Sequence, residues 1–182
     1  SPTNMGLALV STCVASEMGY LTYSDMIDRL QKTLKSMQEL DRFQGHFYNW
    51  YSTKLGDVLN PNYISTVDSG NLAGSLIVVQ QVLEQIPKKE WPNPKFWDGL
   101  NDTLIVIQEL FESLKNDDEY NDLYQQVSDQ ITLIQSRVPA KVPDEINQWQ
   151  TILKELRTVT GSLVDIDLSV LRLELEHHQY QE

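Results

Sequence analysis

The side chains best suited to chemistry are concentrated in residues 42–74, between two segments with helical spacing. Within six residues, HFYNWY combines aromatic rings with imidazole and amide groups, and an aspartate and an asparagine follow at a predicted helix start. Aromatic faces pack against the apolar faces of sugar rings, while amides and carboxylates bond the hydroxyls. We therefore predict a carbohydrate-binding site formed by His46, Tyr48, Asn49, Trp50, Tyr51, Asp68 and Asn71.

The same stretch lacks the pair of carboxyl groups that glycoside chemistry usually requires. Cleavage or transfer generally needs two carboxyl groups about 5–9.5 Å apart, and Asp68 is the one attractive carboxylate within these motifs. We therefore expect Asp68 to be a substrate or structural ligand, and we predict no catalytic residue in this chain. An independent hydrolase that pairs Asp68 with a distant glutamate remains an alternative.

The segment also has a purely structural interpretation. Phe47 and Trp50 would fill the core beneath the loop, His46 would bond a backbone carbonyl, and Asp68 would only cap a helix. The two interpretations differ in whether the aromatic rings are exposed in a concavity or buried.

Metal and cofactor sites are not expected. His177 and His178 are adjacent, so on a helix they point about 100° apart. The chain contains no HExxH, P-loop, GxGxxG or GxSxG motif. Its one cysteine, Cys13, has apolar neighbours and is predicted to be a buried core residue.

The surrounding elements are predicted to be helices throughout. Apolar residues recur at helical spacing, and no convincing strand is found. The fold class is therefore all-α, with about seven helices in antiparallel hairpins, within 1–20, 22–40, 65–86, 100–114, 120–134, 146–159 and 163–179. Asp68 or Ser69 is expected to cap the third of these.

The chain is predicted to form a single domain or fragment over residues 1–182. Within it we distinguish a motif-bearing half (1–86) with an aromatic loop (41–68), a Pro- and Trp-rich connection (87–99) and an acidic helical half (100–182). Residues 1–83 carry 5 Lys/Arg against 7 Asp/Glu, and residues 84–182 carry 9 against 19. The net charge of −12 argues against nucleic acid as a partner. Without a long apolar run, the fragment is expected to be soluble.

Two long motifs carry a resemblance to a known family. SPTNMGLALVSTCVASEMGYL and RFQGHFYNWYSTKLGDVLNPNYISTVDSGNLAGSL, with the spacing between them, resemble the glucoamylase-like (α/α)6 region of bacterial cyclic β-1,2-glucan synthases. These enzymes are connected with the cellobiose-phosphorylase-type glycosyltransferase 36 proteins. The resemblance covers about residues 1–86, and the remaining residues show only helical character.

The resemblance implies part of an (α/α)6 toroid, in which loops at one end form a substrate cleft. It places residues 1–4, 46–51 and 68–71 at that end, where they would contact a β-glucan or oligosaccharide. The chain would be a fragment of a carbohydrate-active enzyme and inactive alone, with the catalytic pair of carboxylates downstream, beyond residue 182, and with other domains of the parent as partners. The parent would be a glycosyltransferase- or glycosidase-type enzyme of the bacterial inner membrane, with this region cytoplasmic and not itself inserted.

A different class of function also fits the sequence. The later helices have apolar stripes and acidic outer faces, which suit a helical scaffold or protein-interaction module with no ligand of its own. Such a module would also be capable of self-association through its helices.

Overall fold

The described part of the chain is mostly helical, which confirms the all-α fold class. The structure is a computed structural model that describes residues 1–90, 92–116, 120–139 and 141–164. The α-helices in these ranges are α1 (Pro2–Glu17), α2 (Tyr23–Glu39), α3 (Thr66–Gln85), α4 (Phe96–Phe111), α5 (Asn121–Arg137) and α6 (Ile146–Val164). Two 3-10 helices follow α3 and α4, at Ile86–Lys88 and Glu112–Asn116.

The seventh predicted helix lies almost wholly outside the described residues. Its first two residues, Leu163 and Val164, belong to α6, which continues through Gly161 without a break. His177 and His178 also lie outside the described residues.

One element was not predicted from the sequence, a small antiparallel ribbon made of β1 (Arg42–Phe43) and β2 (His46–Phe47). The connecting residues Gln44 and Gly45 both have positive φ, 50° and 85°. Two such residues suit a tight hairpin turn. Strands of two residues are too short to show an alternating pattern, so the expectation of no strand was wrong at this place.

The chain divides into two compact units, Ser1–Leu100 and Asn101–Glu182. The division falls within α4. In the second unit α5 packs against α6, and the buried residues of these two helices include Val127, Ile131, Ile134, Trp149 and Leu156.

The core of the first unit joins α1, α2 and α3. It contains Leu9 and Cys13 from α1, together with Met26, Leu30, Met37, Leu72 and Val79 from the other two helices. The predicted burial of Cys13 is confirmed, since its side chain is 2% exposed.

Helices α1 and α3 lie side by side and run in the same direction. At their N-terminal ends the Asn71 amide donates to the Thr3 hydroxyl at 3.1 Å. Beyond their C-terminal ends Lys89 pairs with Glu17. About one turn beyond the Asn71–Thr3 contact, a Cβ built on Gly6 would lie 2.6 Å from Ser75 Oγ, so the absence of a side chain at Gly6 permits this close approach.

The ends of these helices follow local rules. Beyond α1, Gly19 has φ +88°, and the amides of Gly19 and Tyr20 bond the carbonyls of Ser16 and Ala15. That pattern is the glycine-dependent Schellman ending. Helix α3 is capped by Ser65, whose hydroxyl accepts from the Asp68 amide, and the expectation of Asp68 or Ser69 as the cap was wrong. Asp68 instead occupies the first turn.

In the ranges that the structure covers, no helix is both long and apolar enough to cross a membrane.

Candidate functional site

Contacts made by the side chain of Tyr51 stabilise the aromatic loop. The Tyr51 hydroxyl accepts from the Tyr48 amide at 2.8 Å and donates to the Asp41 carbonyl at 2.7 Å. Burial raises the pKa of this hydroxyl. The Tyr51 ring also meets the Phe47 ring edge-on, with centroids 6.5 Å apart. These contacts give Tyr51 a structural task within the loop.

Phe47 connects the loop to the core. Its half-buried ring packs against the core of the first unit, and the Arg42 guanidinium lies 4.4 Å from the ring centroid. Arg42 also donates to the Met37 carbonyl at the end of α2, at 3.1 Å. The structural interpretation of the aromatic residues is therefore correct for Phe47.

Asn49 is the most buried polar residue of the loop, with 4% of its surface exposed. Its amide lies between Asp68, which can only accept hydrogen bonds at neutral pH, and the Trp50 indole, which can only donate. These partners fix the orientation of the amide. Its nitrogen donates to Asp68 Oδ2 at 2.9 Å, and its oxygen accepts from Trp50 Nε1 at 3.3 Å and from the Tyr63 hydroxyl at 2.6 Å.

A main-chain hydrogen bond also links Asn49 to Tyr63, since the backbone N–H of Asn49 donates to the Tyr63 carbonyl at 2.9 Å. We refer to Asn49, Trp50, Tyr63, Asp68 and Thr3 as the Asn49 cluster. It joins the aromatic loop to the N-terminal ends of both α1 and α3.

Asp68 is held as a carboxylate in this cluster. Hydrogen bonds from the side chains of Ser65 and Thr3 lower the pKa of Asp68 from 3.8 to about 2. The Thr3 backbone N–H also approaches Asp68 Oδ1, at 3.4 Å. A carboxyl group with so low a pKa is a poor proton donor or acceptor near neutral pH. Its chemistry is that of a fixed negative charge that accepts hydrogen bonds.

Two rings of the cluster remain open to solvent. Trp50 is 46% exposed and Tyr63 is 44% exposed, although each uses its polar atom to bond Asn49. Trp50 therefore does not fill the core, in contrast to the structural interpretation. The arrangement leaves ring surface, rather than the indole N–H, free to meet a ligand.

The predicted site residues are only partly brought together. Asn49 bonds both Trp50 and Asp68. Exposed Asn71 is linked to Asp68 through Thr3. Half-buried Tyr48 and Tyr51 bond each other elsewhere in the loop. His46 is exposed on β2 and takes no part in the hydrogen bonds of the cluster.

Three residues of the site were absent from the predicted ligand residues, although the resemblance placed residues 1–4, which include Thr3, at the cleft end. Tyr63 and Thr3 were visible as members of the motifs, but nothing in their local sequence marks them as partners of Asn49 or Asp68. Ser65 could have been found, because a serine three residues before an acidic residue is the pattern of a capping box.

Other kinds of site find little support. Within the described ranges, no group of three His, Cys, Asp or Glu side chains could hold a metal ion. Burial, and then Glu17, raise the pKa of the Cys13 thiol, which disfavours the nucleophilic thiolate. An open groove of about 530 Å³ lies in the second unit, lined by residues of 139–152, and contains none of the predicted site residues.

Comparison with known proteins gives one informative relationship. No family model matches the chain. The chain is 28% identical over 184 residues to the cyclic beta-(1,2)-glucan synthase NdvB of Rhizobium meliloti (strain 1021). The alignment covers 97% of this chain and 6% of that much longer protein. It therefore confirms the resemblance seen in residues 1–86 and extends it into the acidic half. The chain is related to a short segment of a cyclic β-(1,2)-glucan synthase.

Proposed function

We propose that this chain supplies part of a β-glucan-binding surface in an enzyme of the cyclic β-1,2-glucan synthase type. The exposed rings of Trp50 and Tyr63, held beside the ionised Asp68, carry this proposal. Such a combination suits a neutral sugar, whose ring has an apolar face and whose hydroxyls are hydrogen-bond donors. The relationship to the Rhizobium protein favours β-1,2-linked glucan over other polysaccharides.

Each group has a distinct task in the proposed surface. Trp50 and Tyr63 stack on glucose rings, with Tyr48 as a further aromatic contact along the loop. The carboxylate of Asp68 and the amide of Asn71 bond glucose hydroxyls at the shared end of α1 and α3. His46, which is exposed on β2, bonds hydroxyls of a chain that extends along the ribbon.

Bond cleavage and transfer are assigned to other parts of the longer enzyme. Asp68 is a poor acid or base, and no second carboxylate belongs to the Asn49 cluster. The parallel arrangement of α1 and α3, with α2 between them in the chain, supports the assignment to part of an (α/α)6 toroid. We infer that the parent is a glycosyltransferase of the bacterial inner membrane, with this region on the cytoplasmic side.

The proposal predicts selective binding that depends on Trp50. We expect linear β-1,2-gluco-oligosaccharides to change the tryptophan fluorescence saturably, with weaker or no binding of cello-oligosaccharides. Removal of the ring in Trp50→Ala should lower the affinity at least about tenfold, or about 1.4 kcal/mol.

Phe43→Ala provides the matched control, because Phe43 is a loop aromatic that is 51% exposed and lies outside the cluster. This variant should bind as the unmodified chain does, with folding of both variants checked by circular dichroism. Equal affinity of the folded Trp50→Ala variant would remove Trp50 from the surface.

A second candidate function is a helical scaffold, and the outer face of α3 favours it. Val67 and Ile77 are 70% and 62% exposed, and Gly70 and Gly74 have open space where a side chain would lie. Open glycines between apolar side chains permit close helix packing. Analytical ultracentrifugation of the unmodified chain and of Ile77→Lys tests this function, which predicts self-association that the lysine abolishes.

A further inference from the structure

We propose that Asn49 is a positioning residue, which holds the Trp50 ring and the Asp68 carboxylate in place without touching the ligand. The inference rests on the proposed function, because it assigns a task to Asn49 within the same surface. It departs from the sequence-based expectation that Asn49 bonds a sugar hydroxyl.

The amide oxygen of Asn49 has no lone pair to spare for a ligand, and the residue is almost fully buried. The residue is 4% exposed, and its amide oxygen accepts from both Trp50 Nε1 and the Tyr63 hydroxyl. Its amide nitrogen donates to Asp68 Oδ2. A carboxamide oxygen has two lone pairs, and both are used here. A sugar hydroxyl could therefore donate to this oxygen only by displacing a partner, and the burial of Asn49 leaves little access to the second N–H of the amide.

Few side chains could replace Asn49 at this position. The site requires a donor towards Asp68 and an acceptor towards Trp50, on a side chain short enough to reach both. Asparagine supplies both groups from one amide. An aspartate would offer a negative oxygen to the Asp68 carboxylate, and a leucine would leave buried polar partners unsatisfied.

Asn49 restrains the two groups that would meet a ligand, the Trp50 indole and the Asp68 carboxylate. Because the Trp50 N–H is bonded to Asn49, the indole is restrained in the plane that this bond requires, with part of the ring exposed. Because Asp68 Oδ2 accepts from Asn49, that oxygen is fixed relative to the indole. Asn49 thus sets the distance and angle between the stacking ring and the hydroxyl acceptor.

The decisive variant is Asn49→Asp, examined through the indole N–H resonance of Trp50 in nitrogen-15 NMR spectra. At pH 7 the added carboxylate faces Asp68, so the resonance should be displaced from its position in the unmodified chain. Two neighbouring carboxylates hold one proton with a raised pKa. Near pH 4 the protonated pair can donate where the amide did, and the resonance should return.

The groups that face position 49 are Asp68 from α3 and Tyr63 from the loop, and the side chain of Ser1 contributes a hydrogen bond to Asp68. A parallel pH titration of the unmodified chain measures how far these groups, and any other titrating group, move the Trp50 resonance. Asn147→Asp makes the same chemical change on an exposed position of α6 and should leave the Trp50 resonance unmoved at both pH values.

Each outcome bears on the proposal. A Trp50 resonance in Asn49→Asp that coincides with that of the unmodified chain at pH 7 would overturn it. A displaced resonance that fails to return near pH 4 would also overturn it. Binding supplies the functional readout, with affinity for β-1,2-gluco-oligosaccharide at least about tenfold weaker at pH 7 and largely recovered near pH 4.

A second measurement requires no variant and guards against failure of Asn49→Asp to fold. In the unmodified chain, hydrogen exchange of the Trp50 indole N–H should be slow, because the N–H is bonded to a buried amide. Exchange as fast as that of a free tryptophan side chain would contradict the inference. If exchange is slow but no oligosaccharide binds, the positioning role stands while the proposed function fails, so the two failures are distinguishable.

Discussion

At the scale of single residues, the proposed surface depends most on Asp68. Its carboxylate accepts hydrogen bonds from Ser65 and Thr3 and from the Asn49 amide, which connects two helix ends with the loop. These partners favour the ionised form over the protonated form. Asp68 is therefore both a candidate sugar ligand and a source of pH-dependent stability.

The lowered pKa of Asp68 predicts a loss of stability in acid. Because the folded-state pKa is about 2 and the unfolded value is near 3.8, the contribution is complete above about pH 4 and is lost as pH falls towards 2. Urea unfolding between pH 5 and pH 2 should show a steeper decline for the unmodified chain than for Asp68→Asn. Parallel declines in the two proteins would contradict the hydrogen-bonded state of Asp68.

The same scale shows where prediction from sequence stops. The predicted sugar-site residues include Asn49, Trp50 and Asp68, which the structure brings together, but the division of tasks among them was not accessible from the sequence. The burial of Asn49 depends on Tyr63 and Asp68, which reach it only through the path of the intervening loop. The Tyr51 hydroxyl is likewise occupied by backbone groups that a side-chain pattern cannot reveal.

At the scale of elements, the site depends on how closely α1 approaches α3. The N-terminal ends of these helices contribute Thr3 and Asp68 to the same cluster. Gly6 and Ser75 meet along the contact one to two turns further along, so the spacing of the two helices is set near the site.

Replacing Gly6 with alanine should push the two helices apart. The added Cβ would lie 2.8 Å from Ser75 Cβ, an atom that the α3 backbone holds in place. Overpacking of this kind costs about 1–3 kcal/mol in the free energy of unfolding, to be measured by urea denaturation. The combination with Ser75→Gly removes that Cβ and should relieve the steric part of the loss.

Gly74→Ala is the matched control for this substitution. Gly74 is helical, and a Cβ built there meets nothing within 4 Å. The gain in helix propensity should raise stability by up to about 1 kcal/mol. Destabilisation by both alanines, or by neither, would show that the contact between α1 and α3 does not set the cost.

Element prediction succeeded where the signal was local. Helical spacing identified the helices now described. It failed where several residues compete for one task. Ser65, Asp68 and Ser69 are all suitable caps, and the residue that caps α3 is Ser65, as its capping-box spacing to Asp68 could have indicated. Gln44 gives no sign in the sequence that it adopts positive φ in the ribbon turn.

At the scale of the whole molecule, the charge is unevenly distributed along the chain, whereas the sequence relationship covers nearly all of it. The net charge of −12 is concentrated in residues 84–182, whereas the Asn49 cluster belongs to the nearly neutral half. The relationship to the glucan synthase nevertheless extends over 97% of the chain. Sequence motifs revealed that relationship only in residues 1–86, because amphipathic helices with acidic faces are common to many folds.

The most direct test of the account is a nitrogen-15 NMR titration of the unmodified chain with a linear β-1,2-gluco-oligosaccharide. The chain has four tryptophans, and Trp97 and Trp149 are only 5% and 3% exposed. We predict a saturable shift of the Trp50 indole resonance, with the Trp97 and Trp149 resonances unchanged and a smaller effect from cello-oligosaccharide. A Trp50 resonance that stays in place while the oligosaccharide binds, or the absence of any binding, would contradict the assignment of the Asn49 cluster to a glucan surface.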